Sequence, residues 1–191
     1  RQAERRIDGN MDKLSKKEKS RRKIMHAAKG LFERDGIDNV TFGRIAEEAD
    51  VCRTTVFNHF SGTAELMLAI MSQEIEDIRD FCREENYSGK ELIYALFGKL
   101  IEDTAYYPTL ATRLINNAIL EHERDNPVKI IEEMTMAGLR ADGFTDEESK
   151  RLTVLTEGAY FGLINHYHIN DMKFEAEAMK MEFQKLLSEI I

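Results

Sequence analysis

The chain is 191 residues long, 42% hydrophobic and 32% charged, with a formal net charge of −8. Such a composition supports a buried core under a solvated surface, and two prolines among eleven glycines argue for long helices against a many-turned β fold. No run of about 18 uncharged apolar residues occurs, which excludes a membrane-spanning helix. The polar opening RQAERRIDGN and the two cysteines, Cys52 and Cys82, lead to the expectation of a cytoplasmic chain without secretory leader or disulfide framework.

Charge is divided unevenly. Residues 1–63 hold 14 Lys/Arg against 10 Asp/Glu, a net of +4, whereas residues 64–191 hold 13 against 25, a net of −12. Between Lys13 and Lys29 there are eight basic residues and one acid, Glu18. A basic segment beside an acidic body suggests that only the N-terminal part meets phosphate, although a solvated helix start has the same composition.

In chain order, a basic arm over 1–18 is expected to precede a helix over 20–35. There Ile24, Ala27, Ala28, Leu31 and Phe32 form one apolar stripe, with Ser20 as N-cap and Gly36 as terminator. Ile37 and Val40 turn inward in a short connector. Thr41 caps a second helix that buries Phe42, Ile45, Ala46 and Ala49. Asp50-Val51-Cys52 interrupts for three residues, and a third helix reaches about Phe60 with Val56 and Phe60 on its inner face. Three short helices, the last two joined by a tight turn, are the helix-turn-helix plan.

From Ser61 the segments lengthen: a helix over 63–85 with Met67, Met71, Ile75, Ile78 and Cys82 on one side, then helices near 89–105, 108–124, 127–141, 146–170 and 173–191. Gly89, Pro108, Pro127 and the Asp142-Gly143 turn separate them. No strand-like alternation of useful length interrupts this all-α reading. The domains expected are therefore an arm (1–18), a helix-turn-helix (19–62) and a larger helical domain (63–191).

The stretch TFGRIAEEADVCRTTVFNHF, Thr41 to Phe60, resembles the DNA-binding motif of the tetracycline-repressor (TetR) family. Thr41, Ile45, Ala46, Ala49, Val51, Val56, His59 and Phe60 agree with it in identity and register. Physics asks for much of this pattern: Ala46 and Ala49 allow a close helix crossing, while Ile45, Val51, Val56 and Phe60 fill a small core. The resemblance implies double-stranded operator DNA as partner. The third-helix residues Arg53, Thr54, Thr55, Asn58 and His59 would then face the major groove, with Phe57 beside them at the DNA surface. Thr63, Lys17 and Arg22 would address the backbone, and Thr41 and Arg44 are further expected DNA contacts.

Four positions depart from the family pattern. Asp50 stands in place of glycine, but Asp tolerates a left-handed conformation better than most residues. Cys52 replaces a serine N-cap; beside its role as a small substitute, oxidation there is a candidate way to disturb DNA docking. Phe57 replaces a tyrosine that would touch phosphate, and Thr63 replaces a phosphate-binding lysine at the next helix start, where its hydroxyl and the helix N-terminus still serve.

The helix at 146–170 is apolar nearly all round from Leu152 to Ile169, and the last helix carries a second stripe. The resemblance implies that both pair with their copies in a homodimer, placing Leu155, Gly158, Gly162, Met179, Phe183 and Leu187 at the interface. Tyr107, Asn117, Tyr160 and His166 are the candidate wall of a small-molecule site, although such residues are individually more often core-filling or surface groups. The acidic, aromatic and methionine-rich C-terminal part favours an apolar or cationic effector.

No catalytic, cofactor or metal site is expected. His166 and His168, two apart on one helix, point about 200° from each other, and neither HExxH, a nucleophile elbow nor a glycine-rich phosphate loop occurs. The alternatives are a metal-sensing regulator using Glu121, His122, His166 or His168, and a helical interaction scaffold that no longer binds DNA. A bound-metal assay discriminates the first from an effector-controlled repressor, and a gel shift discriminates the second.

Overall fold

In a computed structural model of the chain, residues 14–120 and 126–191 are described. Among them there are nine α-helices and no strand. Helix α1, Lys16–Asp35, begins earlier than its apolar stripe suggests. Ser15 caps it, its Oγ accepting the Glu18 amide at 3.1 Å. The expected cap, Ser20, lies inside the helix with a buried hydroxyl that has no hydrogen-bond partner. The end of the expected arm, residues 16–18, is therefore helical, while residues 1–13 lie outside the described part. Ile24, Met25, Ala27, Ala28, Leu31 and Phe32 are buried. Gly36 follows at φ +80°, donating its amide to Phe32 O.

A 3₁₀ turn, Ile37–Asn39, leads to α2, Phe42–Glu48. Thr41 Oγ1 accepts the Arg44 amide at 3.3 Å, the capping bond expected from the sequence. The turn to α3, Arg53–His59, closes through Asp50 at φ +51° while the Val51 amide donates to Ala46 O at 3.0 Å. Aspartate thus adopts the left-handed conformation for which glycine is usual. Val56 and Phe60 are buried, as their spacing requires. Next comes α4, Thr63–Glu84, preceded by Ser61, whose amide and hydroxyl both donate to the Glu65 carboxylate at 2.7 and 2.6 Å.

Tertiary contacts divide the chain into a first unit ending at Ile70 and a second from Met71 to Ile191. The second holds the rest of α4 and five further helices: α5 (Gly89–Tyr106), α6 (Pro108–Leu120), α7 (Val128–Ala141), α8 (Asp146–Ile169) and α9 (Ala176–Ile190). Its core joins Ile75, Ile78 and Cys82 of α4 to Phe97 and Ile101 of α5, Leu139 of α7, Leu163 of α8 and Phe183 of α9. The Phe97 ring stacks on Phe183 at 5.1 Å and meets Tyr160 edge-on at 5.6 Å.

Close packing decides where α7 sits. A Cβ on Gly138 would come within 2.8 Å of Gly89 O, so only glycine lets α7 reach the start of α5. Helix α8 starts with a capping box: Thr145 Oγ1 accepts the Glu148 amide while the Thr145 amide donates to Glu148. That helix does not bury its apolar residues evenly. Tyr160, Leu163, Ile164 and Tyr167 face the core, whereas Val154, Leu155 and Ile169 are 69%, 55% and 66% exposed.

Candidate nucleic-acid interface and effector site

Helix α3 is held from behind and open in front. Val56 is buried on its inner side, and Arg53, Thr54 and Asn58 are exposed on the other, with Thr55 half-buried. Phe57 is 49% exposed; its ring lies 5.0 Å from Phe42 and 5.5 Å from the Arg53 guanidinium. The outward face thus combines a planar cation, two hydroxyls, an amide and an aromatic edge, the groups that read base edges and thymine methyls. His59 closes the helix, half-buried. Burial first, then Arg21 and Lys17, hold its pKa below the ordinary imidazole value, which favours the neutral, hydrogen-bonding form.

The basic residues around α3 are not equivalent. Lys17 is exposed, whereas Arg22 is half-buried and 4.0 Å from Glu18. Arg44 is exposed but bonded to Asp35 at 2.8 Å. The Asp35 carboxyl is held below its usual range by Arg34 first and then by Arg44. Thr63 is half-buried at the start of α4, and the nearby Glu65 carboxylate already occupies the Ser61 donors. Cys52 is exposed, with Sγ 2.8 Å from Thr55 Oγ1; that hydrogen bond lowers the thiol pKa.

Two contacts here escape a reading of the motif alone. Arg21 donates from Nη1 to His59 O at 3.3 Å and places its guanidinium 4.4 Å from the Phe60 ring centre. Its signal in the sequence is spacing: Arg21 lies three and seven residues before the buried Ile24 and Ala28, so it continues the inward stripe of α1. The second is the Ser61–Glu65 clamp, visible only as an acid in the first turn of a helix.

In the second unit a cavity of about 190 Å³ lies among α4, α5 and α9. Phe81, Tyr87, Tyr94 and Phe183 form apolar walls, and Lys99, Glu102 and Lys180 supply the charges. Burial opposes the charge of Glu102, but hydrogen bonds from Lys180 and Lys99 outweigh it and hold the carboxyl below its usual range. The sequence expectation named other walls. Tyr160 is buried, its hydroxyl hydrogen-bonded to that of Thr104 at 2.9 Å, and burial raises its pKa. Tyr107 is half-buried against Tyr106, Asn117 is half-buried on α6, and His166 is exposed beside Asn170. None of these four lines the cavity.

The residues expected at a dimer interface fall into two sets. Met179, Phe183 and Leu187 are 0%, 2% and 0% exposed, forming the inner stripe of α9 within the core of their own unit. An amphipathic helix shows one stripe in sequence, and here its own chain takes it. Leu155, Gly158 and Gly162 face outward on α8, and a Cβ on either glycine would meet nothing within 4 Å. Glu121 and His122 lie outside the described residues. Among the described residues no group of three His, Cys, Asp or Glu side chains is placed to share a metal ion, and no helix is long and apolar enough to cross a membrane.

Residues 24–70, spanning α1 to the first turns of α4, match the model of the tetR family of bacterial regulatory proteins. The match covers about a quarter of the chain, the helix-turn-helix segment together with the start of α4. No curated protein sequence matches it. Its fold is similar to a transcriptional regulator (TerR/AcrR family) from Aquifex aeolicus VF5, at 18% identity over 90% of this chain and 99% of that one, TM-score 0.68. A TetR transcriptional regulator from Rhodococcus sp. RHA1 is 16% identical over 91% and 97%, with TM-score 0.65. The multidrug binding protein EbrR complexed with malachite green is 19% identical over 87% and 96%, with TM-score 0.52. The all-α, TetR-like architecture is thus shared along most of the chain. Within the matched residues, Asp50 adopts the left-handed turn conformation, and Cys52 precedes α3 without a side-chain capping bond.

Proposed function

We propose that the chain is a ligand-responsive transcriptional regulator, acting as a repressor, that binds operator DNA as a homodimer and leaves it when a small molecule binds. The observation that carries this reading is the exposed row Arg53, Thr54, Asn58 on a helix fixed from behind by Val56 and Phe60. Base reading needs hydrogen-bonding groups on a rigid element, and this helix has both.

Dimerisation is proposed through the outer face of α8, where Leu155, Gly158 and Gly162 lie beside exposed Val154 and Ile169. A second copy covering that face removes apolar surface from water and pairs two recognition helices with half-sites about 34–36 Å apart, or a multiple of it. Effector control draws support from the malachite green complex of the multidrug binding protein EbrR and from the cavity of the second unit. Helix α4 contributes residues to both units, so coupling is proposed to run along it. An effector can shift the equilibrium only by its preference for the DNA-incompetent form; couplings of about 1–3 kcal/mol are usual, and a near-complete switch needs about 10⁴-fold.

Gel-shift titration of the native promoter, with and without stabilising small molecules, tests the reading. Thr54→Ala or Asn58→Ala is expected to cost roughly 1–3 kcal/mol of specific affinity. Lys17→Ala and Arg22→Ala should weaken all sequences alike and lower the salt slope by about one each. Recognition-helix variants that stay folded and bind the promoter normally overturn the DNA reading; stabilising ligands that never alter DNA affinity overturn the effector reading.

A further inference from the structure

We propose that the cavity among α4, α5 and α9 is a binding site for a small aromatic carboxylate, its ring among Phe81, Tyr87 and Tyr94 and its anionic head on Lys99 and Lys180. Two cations from different helices converge there on a single carboxylate. Lys99 Nζ lies 2.5 Å from Glu102 Oε2, and Lys180, on α9, bonds the other oxygen of Glu102. Both lysine side chains are largely withdrawn from solvent, at 35% and 20% exposure. Lys180 also reaches Glu177 at 3.0 Å, but Glu177 is 84% exposed and outside the cavity, where water screens it. The wall itself therefore carries two positive charges against one negative, and one added monoanion balances it.

Size and shape narrow the class further. About 190 Å³ suits one substituted ring. It falls short of the roughly 300–1,000 Å³ of sites for drug-sized ligands. The walls are made for a flat apolar body: the Phe81 and Tyr87 rings are 5.9 Å apart and tilted, and Phe183 is buried beneath. Lys99 stands 5.1 Å from the Phe81 ring centre, so cation and apolar wall adjoin. A cationic ligand meets two ammonium groups and a carboxylate already engaged by both. A long acyl chain does not match the flat ring walls, and inorganic anions leave the rings unused. The class thus differs from the apolar or cationic effector expected from overall charge, because the local wall is basic although its domain is acidic.

This assignment concerns binding; any consequence for DNA rests on the regulator reading above. Benzoate and 4-hydroxybenzoate, with benzamide and benzamidine as neutral and cationic controls, are titrated into the full chain, followed by tyrosine fluorescence and calorimetry. The acids should bind saturably, about tenfold or more tighter than either control. Lys99→Gln should weaken the acids about tenfold. Gly98→Leu is the decisive variant, because Gly98 lines the cavity and a Cβ there meets nothing within 4 Å. It should fill the space, leave the lysine–glutamate bonds intact, melt no lower than wild type and lose acid binding. Acids that bind no better than benzamide, or bind equally to a folded Gly98→Leu, overturn the assignment and leave Lys99–Glu102–Lys180 a helix tie alone. Acids that bind as expected without altering promoter affinity uphold the site and overturn only effector control.

Discussion

Arg21 and Phe60 lie 4.4 Å apart, guanidinium to ring centre, and Arg21 also donates to the carbonyl of His59. One side chain of α1 thus fixes the C-terminal end of α3, by a cation over an aromatic face and by a bond to a carbonyl that the short helix leaves open. Arg21→Ala should cost the folded protein about 1 kcal/mol, read in urea unfolding. It should also raise the His59 pKa, since Arg21 is among the groups depressing it. A His59 resonance that titrates unchanged in the variant contradicts the contact.

The two cysteines should separate by reactivity. Cys52 is exposed and its thiol pKa is lowered by the hydrogen bond with Thr55, whereas burial pushes Cys82 up to about 11. The thiolate is the nucleophile, so iodoacetamide at pH 8 should modify Cys52 and spare Cys82 until the chain unfolds. Thr55→Val should slow the first reaction. Mass spectrometry of the native protein checks both, and equal labelling of the two cysteines contradicts the placement.

Substitutions on the two sides of the α8–α9 pair should fail differently. Leu155→Glu or Gly162→Arg, on the exposed side, should give folded monomers by light scattering. Phe183→Glu puts a charge where Phe97 stacks and should unfold the second unit, at a cost of several kcal/mol. Circular dichroism beside scattering separates the two outcomes. A folded, monomeric Phe183→Glu would show that α9 turns the other way.

Glu157 should make stability fall as pH rises. Burial first and Glu132 second push its pKa from 4.5 up to about 7, and its Oε1 is buried without a hydrogen-bond partner. The folded state therefore holds a proton that the unfolded state releases between about pH 4.5 and 7. Stability from this group is full below pH 4.5 and is lost on rising through 7. Because the side chain is partly solvated, the penalty at pH 8 is discounted to about 1–2 kcal/mol. Glu157→Gln should raise the melting temperature at pH 8 and leave it unchanged at pH 4. Equal shifts at both pH values contradict the assignment.

The sequence by itself determined the features whose causes are local. Thr41 caps α2, Gly36 ends α1, Asp50 turns left-handed, and Val56 and Phe60 go inward, since each depends on backbone chemistry or helical spacing within a few residues. An all-α chain with a tetR-like motif was legible for the same reason. The start of α1 was not, because Ser15 and Ser20 are both good caps and only the observed bond to Glu18 chooses between them. Tertiary structure alone decided which way each apolar face turns. The α9 stripe of Met179, Phe183 and Leu187 and the outer face of α8 look alike in sequence, yet one lies in the core and the other in solvent. The cavity was hidden likewise: Phe81, Lys99 and Lys180 are far apart along the chain and individually ordinary. Periodicity tells that a helix has a face to bury, but what covers that face depends on the packing of every other helix, which no local pattern records.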